Sequence, residues 1–237
     1  SGPSSNQNMN TPSISAGQQL VIFGLSNILS DLLDAALARG LPVKAVVVDQ
    51  AEATGERDLN VQSRLDAYAQ VAPRPQLLAL ADFLPSSDEC YLLGPTTPQR
   101  EQLVDRLVAR FGLDFCTLVH PSAYVSPLAS LSPGVFVGAN SVVAAGAKLA
   151  EHVFVNRGVT VGHDTQVGAY SRLQPGANLG GLTVLGRGVT VGLGATVLER
   201  LRLGEGAFVG AGAVVLEDVP PQVLVVGIPA KFKKQLG

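Results

Sequence analysis

Three histidines, His120, His152 and His163, carry the side chains whose unperturbed ionisation falls nearest neutral pH, so proton-transfer chemistry has to be sought among them. His163 is followed directly by Asp164, in Val161-Gly162-His163-Asp164. A carboxylate beside an imidazole favours one ring orientation and the charged form, which suits a general base. A merely solvated histidine at a corner is the competing reading. His120 precedes Pro121 and reads as a turn or packing residue. His152, in Glu151-His152-Val153, reads as a solvated side chain on an outer corner. Two cysteines, Cys90 and Cys116, make no disulfide framework, and with so few histidines they make no zinc cluster. No metal is expected, and a reducing compartment is.

A second group of residues has the spacing to hold a phosphate. Gln19 to Phe23 is an apolar run ending at Gly24. Apolar residues then recur at Ile28, Leu29, Leu32, Leu33, Ala36 and Leu37, the spacing of an amphipathic helix, with Ser26 or Asn27 as its cap and Gly40 at its end. A strand over Val43–Val48 stops at Asp49-Gln50. Further on, a strand over Glu89–Leu93 is closed by Gly94-Pro95, and a helix over Thr97–Phe111 leads to a strand over Phe115–Val119. The alternation predicts a small parallel α/β sheet, whose ligands lie beyond the carboxyl ends of its strands. Gly24, Leu25, Ser26, Asp49, Gln50 and Gly94 stand at such ends. A plain tight turn at Gly24 and a strand-end turn at Asp49 explain those two residues equally well.

The elements that carry His163 are of another kind. Glycine makes up 26 of 237 residues, about 11% against a usual 7%, while aromatics reach only 5%. Residues 1–120 hold 7 of the glycines and 121–237 hold 19, so the composition changes near His120-Pro121. Stepping by six from Val125 to Val215 meets only Val or Leu, sixteen times in succession. A small residue stands two before most of them, such as Ala129, Ser141, Ala147 and Thr165. Glycine often follows, as at Gly138, Gly162, Gly180 and Gly204. A large and a small residue two apart point to the same face of a strand, and the glycine is expected to allow the corner after it.

With only 15% charged residues and a net charge of -2, the chain is neither a nucleic-acid binder nor a disordered acidic segment. The first half carries a net charge of -5 and the second +3, a weak positive balance suited to a phosphorylated cofactor. No stretch has the length of a membrane span and the first residues lack a signal-peptide pattern, so a cytoplasmic protein is expected. Ser1 to Asn8, before the only methionine, read as an expression remnant, and 1–18 as remnant or disorder. Residues 19–119 are then read as a Rossmann-like nucleotide-sugar-binding domain and 120–237 as an all-β repeat domain with a tail.

The hexads, the α/β half before them, the joint His120-Pro121-Ser122-Ala123 and the tail Gly227-Ile228-Pro229-Ala230-Lys231 together resemble the bacterial sugar acyltransferases of the hexapeptide-repeat type. These include UDP-4-amino-sugar and perosamine N-acetyltransferases and sialic acid O-acetyltransferases. The resemblance implies a left-handed parallel β-helix of slightly more than five three-hexad coils, and acetyl-CoA as cosubstrate. It also implies a homotrimer with sites between neighbouring chains.

By the same resemblance His163 is the general base, Asp164 orients it, and Asn156 helps to place the acceptor. Gly181 offers a backbone N–H to the thioester carbonyl, and Leu193 and Ala211 line the acetyl-CoA channel. Arg172 stands where relatives have a second histidine near the thioester. A cation there suits a CoA phosphate, a substrate carboxylate or solvent.

The expected activity is acetyl transfer to the amine of a nucleotide-linked amino sugar, of the 4-amino-4,6-dideoxy kind. Sugar O-acetylation and a non-catalytic binding scaffold are the alternatives. A three-histidine metal enzyme on the same helix is excluded, because His120 precedes the repeat and His152 and His163 occupy different hexad positions.

Overall fold

The computed structural model describes residues 14–49 and 55–237; 1–13 and 50–54, Gln50 among them, lie outside the described residues. Ile14 already packs against the first core and Gln18 donates to the Glu89 carbonyl, so the chain joins the fold ahead of Gln19.

Four parallel strands, β1 (Gln19–Phe23), β2 (Val43–Val48), β3 (Gln76–Ala79) and β4 (Glu89–Leu93), form a sheet of order β3-β2-β1-β4. Their apolar runs are continuous because both faces are covered. Leu20 and Ile22 of β1 pack under helices α1 (Leu29–Arg39) and α2 (Val61–Tyr68). Val21 and Phe23 face α3 (Glu101–Phe111) on the opposite side. Fully buried side chains such as Leu32 and Leu107 contribute about 1.5–3 kcal/mol each. The connections change face between β1 and β4, and there the ends of two neighbouring strands open a crevice.

Gly40 ends α1 as expected, at φ 70° with its N–H on the Ala36 and Leu37 carbonyls. The start of α1 differs from expectation. Ile28 is its first flanking residue and no side chain caps it; Ser26 donates to the Gly94 carbonyl and Asn27 to Asp58 instead. Phe115–Val119 also differs. Phe115 makes only a single bridge to Tyr91, and Leu118–Val119 pairs with Phe136–Val137, so this segment starts the second unit and adds no strand to the first.

From Leu118 the chain winds as a three-sided coil of two-residue strands, each pairing in parallel with the strand eighteen residues later. This pattern fits a left-handed β-helix. Side one holds Leu118–Val119, Phe136–Val137, Phe154–Val155, Arg172–Leu173, Thr190–Val191 and Phe208–Val209, then Val223–Val226. Side two runs from Tyr124–Val125 through Thr160–Val161 to Val214–Val215, and side three from Ser130–Leu131 through Gln166–Val167 to Arg202–Leu203. The hexad Val and Leu fill the axis, with Val143, Leu173 and Val191 fully buried, and the small residues Ala147, Thr165 and Ala195 pack beside them. A core this narrow has no room for aromatic rings.

The glycines after the hexad aliphatics serve close packing of coil on coil. A Cβ on Gly162 would fall 2.5 Å from the Gly181 nitrogen. The left-handed corner positions are a different set, Gly158 at φ 65° among them.

At the far end, Lys231–Gln235 turns back antiparallel on Val223–Val226 and becomes the edge strand of side one. The α/β unit sits on side one at the other end: Phe136 and Phe154, stacked 5.2 Å apart, join the core under α1. Among the described residues no helix is long and apolar enough to cross a membrane.

Candidate active site

His163 stands on the edge between sides two and three, in the corner after Thr160–Val161. Asp164 is left-handed (φ 56°), a conformation Asp tolerates, and its Oδ2 lies 2.9 Å from His163 Nδ1. The two side chains are 62% and 58% exposed, so the pair faces outward and not into a cavity of its own chain. Directly along the edge, one coil later, comes Gly181. A Cβ there would fall 2.4 Å from His163 Nε2, so the imidazole lies over the glycine as if in a slot. Among the described residues the Gly181 N–H has no acceptor. A base and a free backbone donor therefore occur together on one edge.

Other residues singled out in the sequence lie elsewhere. Asn156 is buried on the edge between sides one and two; its side-chain oxygen accepts from the Arg157 N–H at 2.8 Å and its carbonyl from Ser141 Oγ at 2.7 Å. Leu193 and Ala211, both exposed, follow on that edge one coil apart. Arg172 is on side one, half-buried. Side two thus lies between His163, Asp164 and Gly181 on one edge and Asn156, Leu193 and Ala211 on the other. A single chain does not bring the two groups together.

The crevice at the β1/β4 switch has a volume of about 440 Å³. Gly24, Leu25, Ser26 and Asp49 line it, and Pro95 lines it in place of Gly94. Gly94 is buried behind, where a Cβ would meet the Gly24 carbonyl at 2.1 Å. The start of α1, which no side chain caps, borders this space through Asn27 and Leu29, a favourable place for a phosphate. Three arginines not singled out in the sequence, Arg64, Arg100 and Arg106, also line it. Arg106 pairs with Asp49 at 2.6 Å, and Arg64 donates to Ser30 and Asn27. Arg64 belongs to the irregular stretch before β3, where no period marks its face. Arg106 sits three residues after Leu103, and that spacing was available as a signal. No β-helix residue lines the crevice.

The joint between the two units is a buried arginine. Arg100 is 4% exposed and donates to the carbonyls of Thr96 and Thr97 in its own turn, and to those of His152 and Ser171 at the edge between sides three and one. Burial pulls its pKa down to about 9, so it stays charged at neutral pH. His152 departs from the solvated corner residue expected. It is buried, stacked on Tyr170 at 5.1 Å and edge-on to Phe115 at 4.7 Å, and its Nδ1 has no partner among the described residues. Burial first, then the Arg100 charge, lowers its pKa to about 4. The α/β unit covers a corner that the repeat alone would leave in water. His120 is a turn residue, its Nδ1 2.7 Å from Ser122 Oγ.

No protein-family model matches the chain, and no curated protein matches it in sequence. Solved structures do. A mutant of perosamine N-acetyltransferase from Caulobacter crescentus, in complex with CoA and GDP-perosamine, superposes with a TM-score of 0.76 at 26% identity, over 94% of this chain and 100% of that one. The acetyltransferase domain of PglB from Neisseria gonorrhoeae, in complex with acetyl coenzyme A, gives 0.76 at 27% identity, over 92% and 100%. The chain is an acyltransferase, similar to these hexapeptide-repeat enzymes. WeeI from Acinetobacter baumannii shares the fold of this acyltransferase at a TM-score of 0.69 and 20% identity, over 91% and 100% of the two chains. The acyltransferase keeps its histidine and the backbone donor on one edge and its crevice in a separate unit. Among its described residues no three His, Cys, Asp or Glu side chains are grouped to hold a metal ion.

Proposed function

We propose that this acyltransferase moves the acetyl group of acetyl-CoA onto the amine of a nucleotide-linked amino sugar, of the 4-amino-4,6-dideoxy kind, by direct transfer. The observation that carries the reading is the His163–Asp164 pair lying over Gly181. It occurs in a chain that superposes over its length on an enzyme holding CoA and GDP-perosamine. With Nδ1 held by Asp164, Nε2 takes the proton as the amine attacks the thioester carbonyl. The oxyanion formed accepts from the Gly181 N–H. The intermediate collapses by breaking the C–S bond, and the CoA sulfur leaves with the proton from Nε2. The nucleotide occupies the crevice, its phosphates at the start of α1.

The same reading requires a homotrimer. Side one is covered within the chain, and side three presents Lys148 and Arg202 to water. Side two presents Tyr124, Val142, Thr160, Asn178, Thr196 and Val214, with no charge among them. Leu128, Leu182, Leu198 and Leu216 are exposed along its edge with side three. Three copies packed by side two bring the His163 edge of each against the Asn156–Leu193–Ala211 edge of the next, so base and acetyl-CoA channel meet only between chains.

The test offers acetyl-CoA with UDP-, dTDP- and GDP-linked 4-amino-4,6-dideoxy sugars and follows thiol release, product NMR and mass in solution by light scattering. N-acetylated product from a trimer, lost in His163→Ala, supports the proposal. A product acetylated on oxygen, no CoA release with any acceptor, or a fully active monomer overturns it.

A further inference from the structure

Helix α1 is tied to the coil by two ion pairs across the joint between the units. Asp34 lies 3.6 Å from His120 Nε2, and Asp31, in the first turn of α1, lies 3.7 Å from Arg157. Arg157 is two coils beyond His120, so α1 runs against the winding of the coil and its start points toward the later coils. The first turn therefore meets the edge between sides one and two at Asn156-Arg157.

Few donors are free at that turn. The Leu29 N–H donates to the Ser26 carbonyl and the Leu32 N–H to that of Ile28, while the N–H groups of Ser30 and Asp31 have no acceptor among the described residues. A phosphate at the start of α1 takes those two. It then lies beside the Asp31 carboxylate, which repels it, and beside the Arg157 guanidinium, which neutralises that carboxylate. At 3.7 Å the pair is longer than a hydrogen bond, and the Arg157 side chain donates to no acceptor among the described residues. The two side chains are 59% and 45% exposed, so the contact is weak and open to exchange.

On its other side Arg157 faces the edge where acetyl transfer takes place. Arg157 and His163 belong to one coil, a third of a turn apart, which is about 1.6 Å of height at a spacing of about 4.8 Å per coil. In a cyclic trimer whose axis follows the coils, like residues lie level. The His163 that a neighbouring copy brings to this edge therefore stands at the height of Arg157. Arg157 lies between phosphates held at α1 and the base that receives the amine proton. In a nucleotide-linked sugar, the group at that point is the phosphate bonded to the sugar.

We propose that Arg157 binds the sugar-bearing phosphate of the substrate and so sets the amine against the base of the neighbouring chain. This rests on the N-acetyltransferase reading above and deepens it. Arg157 is not one of the crevice-lining arginines; it reaches α1 from the coil. Its fork suits a phosphate, which carries more charge than the carboxylate it leaves. Asp31 keeps the guanidinium within reach until the substrate arrives.

The experiment measures, by calorimetry on the intact enzyme, affinity for the mono- and diphosphates of uridine, thymidine and guanosine. It uses wild type, Arg157→Gln and Arg157→Lys, and kinetics then follow with the amino sugar linked to the base that binds best. A monophosphate stops short of Arg157, and a diphosphate reaches it. Arg157→Gln is expected to weaken the diphosphate about tenfold and the monophosphate less than about twofold, with Arg157→Lys losing less. The KM for the linked sugar should rise by a similar factor, and adding Asp31→Asn to Arg157→Gln should restore part of the loss by removing the repulsion. Equal weakening of both nucleotides means that Arg157 acts through the position of α1, and overturns the proposal, as does weakening of neither. A rise confined to the acetyl-CoA KM assigns Arg157 to a CoA phosphate and also overturns it. A wild type that binds none of the nucleotides refutes the nucleotide-linked reading itself, which a failure seen only in the Arg157 variants leaves intact.

Discussion

The imidazole of His163 occupies the space that a side chain on Gly181 would fill. The two residues are one full coil apart, and a single methyl group at Gly181 would stand 2.4 Å from Nε2. Asp164 holds the other ring nitrogen. The ring is fixed by a hydrogen bond on one side and by an absent side chain on the other.

Gly181→Ala therefore expels the ring from its slot while leaving the backbone unstrained. We expect kcat to fall about a hundredfold, the scale on which a displaced catalytic group loses its alignment. The melting temperature should hardly move, since the ring is exposed. Steady-state kinetics beside a thermal melt checks this, and wild-type kcat would show that the ring needs no slot.

Asp164→Asn keeps the shape and removes the charge that fixes the ring. A fall in kcat of about tenfold to a hundredfold is expected, with the acceptor KM little changed. A KM effect without a kcat effect would place Asp164 in substrate binding.

Since the two edges of one chain are separated by side two, inactive chains should complement each other. His163→Ala spoils one edge and Leu193→Arg the other. Unfolding and refolding them together at equal amounts should give trimers in which about a quarter of the interfaces pair two intact edges. Activity from the mixture, absent from each variant refolded alone, is the expected outcome; none would mean that each chain holds a whole site.

The buried His152 predicts how stability responds to acid. Its folded pKa of about 4 lies below the ordinary 6.5, so the unfolded chain binds a proton that the folded chain refuses. The neutral ring's stability is fully present above pH 6.5 and is lost as the pH falls toward 4. By linkage, the stability at pH 5 should be about 2 kcal/mol below that at pH 7.5 from this residue alone. Denaturant titrations of wild type and His152→Asn at both pH values test it. Asn accepts the left-handed backbone but does not titrate, so its loss between the two pH values should be smaller.

Much of this architecture can be read from residue types alone. The run of Val and Leu from Val125 to Val215 marks the coil because an axis too narrow for anything else must repeat its filling. The separation of the site residues into two groups, which the resemblance implies as sites between neighbouring chains, is also written in the spacing. His163 and Gly181 are eighteen residues apart, as are Leu193 and Ala211, while Asn156 is seven from His163; residues share an edge only when their separation lies within a residue or two of a multiple of eighteen. His152 was misjudged for another reason. Its burial comes from Phe115 and Arg100, which lie far away in sequence, and the hexad pattern shows only what the coil does for itself. The role of glycine was half legible: abundance marked the repeat, but the split between left-handed corners and tight packing appears only with the next coil in place.

The C-terminal strand has a consequence of its own. A stack of identical rungs ends in unpaired backbone, an invitation for another stack to join and for the chain to polymerise. Lys231–Gln235 runs against the direction of every other strand on side one and carries Lys231, Lys233 and Lys234. A reversed, positively charged last rung neither continues the ladder nor welcomes a copy of itself, so it acts as a chain terminator for the fold.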